Sequence, residues 1–191
     1  MTKKYSFFSL LPKGVSLEGY LFPDTYFFSQ KLTSEDIVKK FLTNFDNRLS
    51  SSLREEIKKQ GKKLEDIIIM ASIIEREVKN EEDKKTVGGI FWNRIKNGQP
   101  LQSCATIAYI LGENKKQYSF EDTRIDSPYN TYLNQGLPPG PISNPGLSSI
   151  EAAVYPNGNT YNYFLSDPET GKTIFSRTIE DHNANKYKFG L

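Results

Sequence analysis

The chain has 191 residues, 37% of them hydrophobic and 13% aromatic, which is enough apolar material for one substantial core and too much for a disordered segment. Its formal net charge is only +2, and its lysines, such as Lys58, Lys59, Lys62, Lys63, Lys84 and Lys85, are interspersed with acids, so the one-sided basic face of a nucleic-acid binder is not expected. Cys104 is the single cysteine and His182 the single histidine, which excludes an internal disulfide and the usual zinc sites; no metal and no cofactor is expected.

Residues 1–32 read as an N-terminal aromatic segment of loops and short strands. No run approaches the roughly 18 apolar residues of a membrane span, and the Tyr5 to Leu11 stretch is cut short by Lys13 and Gly14. Residues 33–112 read as helical. The first helix starts near Thr33, which has capping-box spacing with Asp36, and Ile37, Val38, Phe41, Leu42 and Phe45 form its apolar face. Gly61 precedes the most apolar helix, Leu64 to about Lys79. Another runs from about Glu82 to Lys96 and is stopped by Asn97-Gly98. Within it, Gly88-Gly89 lacks a phosphate-loop context and marks close helix packing. A short helix from Ser103 to Leu111 is closed by Gly112.

Beyond residue 112 the chain is rich in proline and glycine. Ser148 and Glu151 have capping-box spacing for a helix over about 148–154. Tyr161 to Ser166 and Lys172 to Ser176 flank an Asp-Pro-Glu-Thr-Gly turn and predict a β-hairpin, with a last helix after it. The expected fold class is α+β, a helical core with a small antiparallel hairpin lobe.

One carboxylate stands out. At 3.6 residues per turn, Leu64, Ile68, Ala71, Glu75 and Val78 stack along one side of the apolar helix, flanked by Ile67 and Ile74. Glu75 therefore falls inside the apolar face, whereas Arg76 and Glu77 are expected to point away from it. Desolvation raises a carboxyl pKa, as a general acid toward a glycosidic oxygen requires. A structural ion pair accounts for the same pattern. Other polar groups gather where loops can converge: Asn93, then Gln102, Ser103 and Thr106, then Asn130, Thr131 and Tyr132 ahead of the proline-stiffened Leu137 to Pro141.

Several unusual blocks occur in a fixed order. They are Leu17-Glu18-Gly19-Tyr20-Leu21-Phe22-Pro23-Asp24-Thr25-Tyr26, Ala71-Ser72-Ile73-Ile74-Glu75-Arg76-Glu77, Phe91-Trp92-Asn93-Arg94-Ile95 and Leu101-Gln102-Ser103-Cys104-Ala105-Thr106. The most specific is Ser127-Pro128-Tyr129-Asn130-Thr131-Tyr132, followed by Gly136-Leu137-Pro138-Pro139-Gly140-Pro141 and Ile142-Ser143-Asn144-Pro145-Gly146. Together these blocks resemble the YceG-like, or MltG, family of endolytic murein transglycosylases over almost the whole chain. The resemblance implies a YceG-like catalytic domain over 33–191, with 1–32 at the end of a preceding LysM-like region. It implies Glu75 as the catalytic acid and base, and Gln102, Asn130, Thr131, Tyr132 and Asn144 as substrate-groove residues. His182 matches a terminal family position.

The implied reaction is a lyase cleavage of the β-1,4 bond between N-acetylmuramic acid and N-acetylglucosamine in peptidoglycan. Glu75 would protonate the leaving oxygen and then accept a proton from the muramyl 6-hydroxyl, leaving a 1,6-anhydro end without a second enzymic carboxylate. Glycan strands are the expected partner, together with cell-wall synthesis proteins. The full-length protein is expected at the cell membrane, held by a single N-terminal span with this domain on the extracytoplasmic side. Two departures from the family pattern are Cys104-Ala105, where some relatives carry Asp-Pro, and Gly171-Lys172-Thr173, where others carry Gly-x-His. The alternatives are a muramidase pairing Glu75 with Asp126, Asp24 or Glu18, and a non-catalytic glycan-binding module.

Overall fold

The computed structural model describes Tyr5, Phe7, Gly14 and residues 16–115 and 117–190; Met1 to Lys4 and most of the Tyr5 to Leu11 run lie outside the described residues. The helices are α1 (Ser34–Arg48), α2 (Ser51–Lys59), α3 (Leu64–Glu77), α4 (Glu81–Lys96), α5 (Cys104–Leu111), α6 (Leu147–Val154) and α7 (Ile179–Lys188). Strands β1 (Tyr163–Ser166) and β2 (Thr173–Ser176) lie between α6 and α7 and pair antiparallel, with Phe164 opposite Phe175. This is the expected α+β arrangement, a helical core carrying a two-stranded lobe.

Local chemistry sets most of the boundaries. Thr33 and Asp36 close the predicted capping box, with Asp36 N donating to Thr33 Oγ1 at 3.2 Å and Thr33 N donating to Asp36 Oδ2 at 3.1 Å. Helix α5 ends on Gly112 in the left-handed region at φ 71°. Helix α2 is a separate element within the 33–112 stretch. Ser50 caps it by accepting from Leu53 N at 3.2 Å, and Leu53 and Ile57 bury its inner face. Helix α3 stops at Glu77, two residues before the predicted end, because Val78 turns to extended backbone.

The predicted capping box of α6 is not formed. Its N-cap is Gly146, and Ser148 lies inside the first turn, where its Oγ accepts from Lys84 Nζ at 3.0 Å. A buried ammonium outcompetes a local backbone amide for that hydroxyl.

Helix α3 is the axis of the core. Leu64 and every residue from Ile67 to Ile74 are buried, because α2, α4, α5 and α6 all pack around it. The last carbonyls of α6, which have no partner within the helix, are taken up by its neighbours. Trp92 Nε1 donates to Ala153 O at 2.9 Å, and Gln60 Nε2 donates to Val154 O at 3.0 Å.

Residues 17–22 belong to the same core: Tyr20 and Phe22 are buried, and Tyr20 packs on Phe7 and Phe45. Gly19 has φ +90°, and a Cβ there would lie 2.5 Å from Pro141 Cγ and 2.9 Å from Ile68 Cγ2. At the other end, Phe164 meets Phe91 edge-on at 5.8 Å and α7 packs on both strands, which ties the hairpin lobe to α4. Among the described residues no helix is long and apolar enough to cross a membrane.

Gly88 and Gly89 mark close packing, as expected. A Cβ on Gly88 would stand 2.8 Å from Ala152 O, and one on Gly89 would stand 2.2 Å from Asn157 O. Backbone cannot step aside as a side chain can, so Gly89→Ala should destabilise the fold by about 3 kcal/mol in urea unfolding. Gly158→Ala, with nothing within 4 Å of the new methyl, should stay within about 0.5 kcal/mol of the parent.

Candidate active site

Two loops close on each other in front of α5. Gln102 N donates to Thr131 O at 2.9 Å, Ser103 N donates to Thr131 Oγ1 at 3.0 Å, and Thr106 Oγ1 lies 2.9 Å from that same oxygen. Thr131 is consequently buried. Asn130 is buried as well, and its amide is spent on its own loop. Nδ2 donates to Ile125 O at 2.8 Å and Thr123 O at 3.1 Å, while Oδ1 accepts from Tyr132 N at 2.9 Å. These two predicted groove residues shape the wall from behind.

Gln102 and Tyr132 are the predicted residues that reach the front. Gln102 is exposed and sits at φ 50°, the one non-glycine with positive φ among the described residues. That strain is held by the 102–131 pairing. Tyr132 is half-buried, with its hydroxyl 3.1 Å from Cys104 Sγ; burial pushes the phenol pKa well above its usual value, so it stays protonated. The Cys104 thiol is pushed up chiefly by desolvation, the opposite of what a thiolate nucleophile needs.

Asn144 stands on a third loop. Its Oδ1 accepts from Gly19 N at 2.8 Å and Leu21 N at 3.1 Å, clasping the N-terminal segment to the 141–146 loop. The same loop is sewn to α3, since Ile142 N donates to Ser72 Oγ at 3.0 Å and Ser143 Oγ donates to Ser72 O at 2.9 Å.

The two acids at the end of α3 lie in different surroundings. Glu75 Oε2 accepts from Lys84 Nζ at 3.2 Å, Gly146 N at 3.1 Å and Ser149 Oγ at 2.5 Å. The Lys84 side chain is 7% exposed and that of Glu75 32%, so Glu75 is only partly withdrawn from water, short of the burial its place on the helix suggested. It is half of an ion pair that joins α3, α4 and α6.

Glu77 faces the 102–105 turn instead of solvent. Its Oε1 accepts a short hydrogen bond from Ser103 Oγ and a longer one from Ala105 N at 3.3 Å, so it caps the N-terminus of α5, where Ser103 makes no cap of its own. Burial raises its pKa, against those hydrogen bonds and the charges of Arg94 and Arg76, which lower it. Among the described residues, the buried side-chain polar atoms without partners are Tyr20 Oη and His182 Nδ1. Glu77 Oε2 makes no hydrogen bond among the described residues and is not one of these sealed atoms.

Arg94 completes the wall. Its guanidinium donates to Leu101 O and, at 2.6 Å, to Asn162 O, bridging the 101–103 turn to the hairpin lobe. It lies 6.0 Å from the Tyr163 ring, on which His182 stacks at 5.2 Å. Sequence reasoning passed over Glu77 and Arg94. The signal for Glu77 is Ser103, ahead of α5, whose hydroxyl makes no helix cap and finds its partner at the end of α3.

The acids considered for a paired mechanism are engaged elsewhere or exposed. Asp24 is held by Arg48 and Asn44, Glu18 accepts from Tyr109 at 2.8 Å, and Asp126 is exposed. No cluster of three or more His, Cys, Asp or Glu residues that could hold a metal ion is found among the described residues.

The chain is similar to known proteins over most of its length. The chain is 42% identical over 174 residues to an endolytic murein transglycosylase of Bacillus subtilis (strain 168), covering 91% of this chain and 48% of that protein. It is 37% identical over 174 residues to an endolytic murein transglycosylase of Streptococcus pneumoniae serotype 2 (strain D39 / NCTC 7466), covering 88% of this chain and 31% of that protein. The chain thus spans half or less of the length of these relatives. A crystal structure of a yceG-like protein from Listeria monocytogenes superposes with a TM-score of 0.85 at 41% identity, over 97% of this chain and 61% of that one. The YceG-like family model matches residues 2–188, and the chain belongs to that family.

Proposed function

We propose that this domain is the catalytic part of an endolytic murein transglycosylase, cleaving the bond between N-acetylmuramic acid and N-acetylglucosamine with Glu77 as its acid and base. The observation that carries this assignment is the Glu77 carboxyl, raised in pKa by burial and held at Oε1 by Ser103 Oγ and Ala105 N, with Oε2 left without a hydrogen-bond partner. Glu75, selected by its place on the helix, is the rival proton donor. Its Oε2 is already committed to three donors, and its proposed role is to fix the end of α3.

Protonated Glu77 gives its proton to the glycosidic oxygen as the bond to the muramyl anomeric carbon breaks. The carboxylate formed is steadied by Ser103, Ala105 N–H and the charge of Arg94. It then takes the proton of the muramyl 6-hydroxyl, whose oxygen bonds to the anomeric carbon and closes the 1,6-anhydro ring. No water is consumed, and one carboxyl is enough because the nucleophile belongs to the substrate. The full-length protein is proposed to act at the membrane on its extracytoplasmic side, where this polymer lies.

Mass spectrometry of products from purified glycan strands decides between chemistries. Anhydro-muramyl ends are expected; reducing muramyl ends would make the enzyme a muramidase, and intact strands that remain bound would make it a glycan-binding module. Glu77→Gln should lower the cleavage rate by about 10³-fold, with the circular dichroism of the fold unchanged. Glu75→Gln should keep most of the activity and lose stability, since it leaves the buried Lys84 ammonium beside a neutral group. Loss of cleavage in Glu75→Gln with full activity in Glu77→Gln would reverse the assignment.

Protonation supplies a further check. The donor form of Glu77 exists below its raised pKa, so the basic limb of kcat/KM should lie above the ordinary glutamate value of 4.5. For stability, a folded pKa raised above the unfolded one gives a contribution present at low pH and lost as pH rises through the folded value. Glu77→Gln should therefore be at least as stable as the parent at neutral pH and lose that advantage in acid, as read from urea midpoints across pH.

A further inference from the structure

A cavity of about 320 Å³ lies where the hairpin meets α7. That is near the lower end of the range, roughly 300–1,000 Å³, of pockets that take small ligands, and it suits one ring rather than a chain of them. Tyr161 and Phe175 line it from the hairpin, their rings stacked with centroids 5.3 Å apart and planes 29° apart. Arg177, just beyond β2, and Asp181 and Asn185 of α7 supply its polar groups.

These polar groups are largely unspent. Thr178 caps α7 by accepting from Asp181 N at 3.1 Å, and the Asp181 carboxylate takes no part in that cap. The Arg177 guanidinium lies 5.8 Å from the Tyr161 ring and, like the Asp181 carboxylate, makes no hydrogen bond or ion pair among the described residues. Asn185 Nδ2 donates to the buried Ser176 Oγ at 3.0 Å, which fixes the amide and leaves Oδ1 as an acceptor. A carboxylate and a guanidinium lining one cavity disfavour a ligand of either net charge and favour one that carries neutral donors and acceptors together. A pyranose ring has that chemistry. Its hydroxyls can donate to Asp181 and Asn185 Oδ1 and accept from Arg177, and its C–H face packs on an aromatic ring.

The pocket is tied to the cleft wall by hydrogen bonds. Asn162, next to Tyr161, has its carbonyl oxygen 2.6 Å from the Arg94 guanidinium that donates to it. Asn162 N and Nδ2 in turn donate to Ser176 O at 3.1 Å and Arg177 O at 2.8 Å. Resting on the proposed strand-cleaving function for the identity of its ligand, we propose that this pocket is an accessory subsite for one sugar ring of a glycan strand. It holds the polymer on the hairpin lobe at a point apart from the bond that reacts.

The probe is a β-1,4 tetramer of N-acetylglucosamine, which has the backbone of the polymer and no muramyl bond to cleave. Titrated into the isotope-labelled protein and followed by two-dimensional NMR, it should shift the backbone amides of residues 175–177 and 181–185, and the Asn185 side-chain amide, along one saturable curve. Arg177→Ala and Asp181→Ala, both at exposed positions, should each weaken that binding about tenfold with the rest of the spectrum unchanged. Tyr161→Leu, which removes the stacked face, should abolish it; the two exposed variants keep the test readable if this one disturbs the lobe. No shift at these residues, shifts confined to the cleft around Gln102 and Tyr132, or a curve unchanged in both Arg177→Ala and Asp181→Ala overturns the subsite. Product analysis of purified strands with unmutated enzyme is independent of this comparison. Absence of anhydro ends there would sink the transglycosylase reading and leave the NMR result standing.

Discussion

Lys84 Nζ, almost sealed from water, reaches Glu75 Oε2 at 3.2 Å and Ser148 Oγ at 3.0 Å, and on that one ammonium the ends of α3, α4 and α6 meet. Removing a single partner from such a group leaves an uncompensated charge in a poorly hydrated place, so the three elements are locked together far more firmly than a surface ion pair would lock them. Glu75 also holds Gly146 N, the N-cap of α6, and through it the 141–146 loop. Everything forward of this point, including the direction of Glu77 two residues further along α3, depends on that junction.

The two acids divide the work that a single residue was expected to do. Glu75 spends Oε2 on the junction of three helices, while Glu77 spends Oε1 on the N-terminus of α5. The tuning at Glu77 is a balance. Desolvation pushes the proton on, whereas Ser103, Ala105 N–H and two arginine charges make its loss tolerable. A proposed acid and base must pass through both states within one turnover, and neither influence alone would permit that.

Much of the fold was readable from local signals. The Thr33 capping box, the stop at Gly112, the crowded Gly88-Gly89 pair and the hairpin around Asp-Pro-Glu-Thr-Gly all follow from short-range stereochemistry. The start of α6 was not, because Ser148 answers to Lys84 from another helix and not to its own backbone. The site was harder for the same kind of reason. A helical wheel separates an apolar face from a polar one, but it cannot show that the 102–105 turn meets the polar side of α3 at Glu77, while Arg76 beside it stays exposed. Asn130 and Asn144 were conspicuous in their motifs and are used to hold loops, and the strained backbone of Gln102 exists only once residues 100–103 have met 131–135.

The Asn144 clasp has a mechanical consequence. Force applied to the backbone at Gly19 and Leu21 passes through two N–H bonds to the Asn144 amide. From there it runs along the 142–144 backbone to Ser72, which receives both Ile142 N and Ser143 Oγ. Ser72 lies in the same helix as both acids, so this load path ends one turn from the carboxyls. No long flexible side chain lies along it to absorb the strain. The fold is stiff between its N-terminal segment and its cleft, and tension on one is delivered to the other.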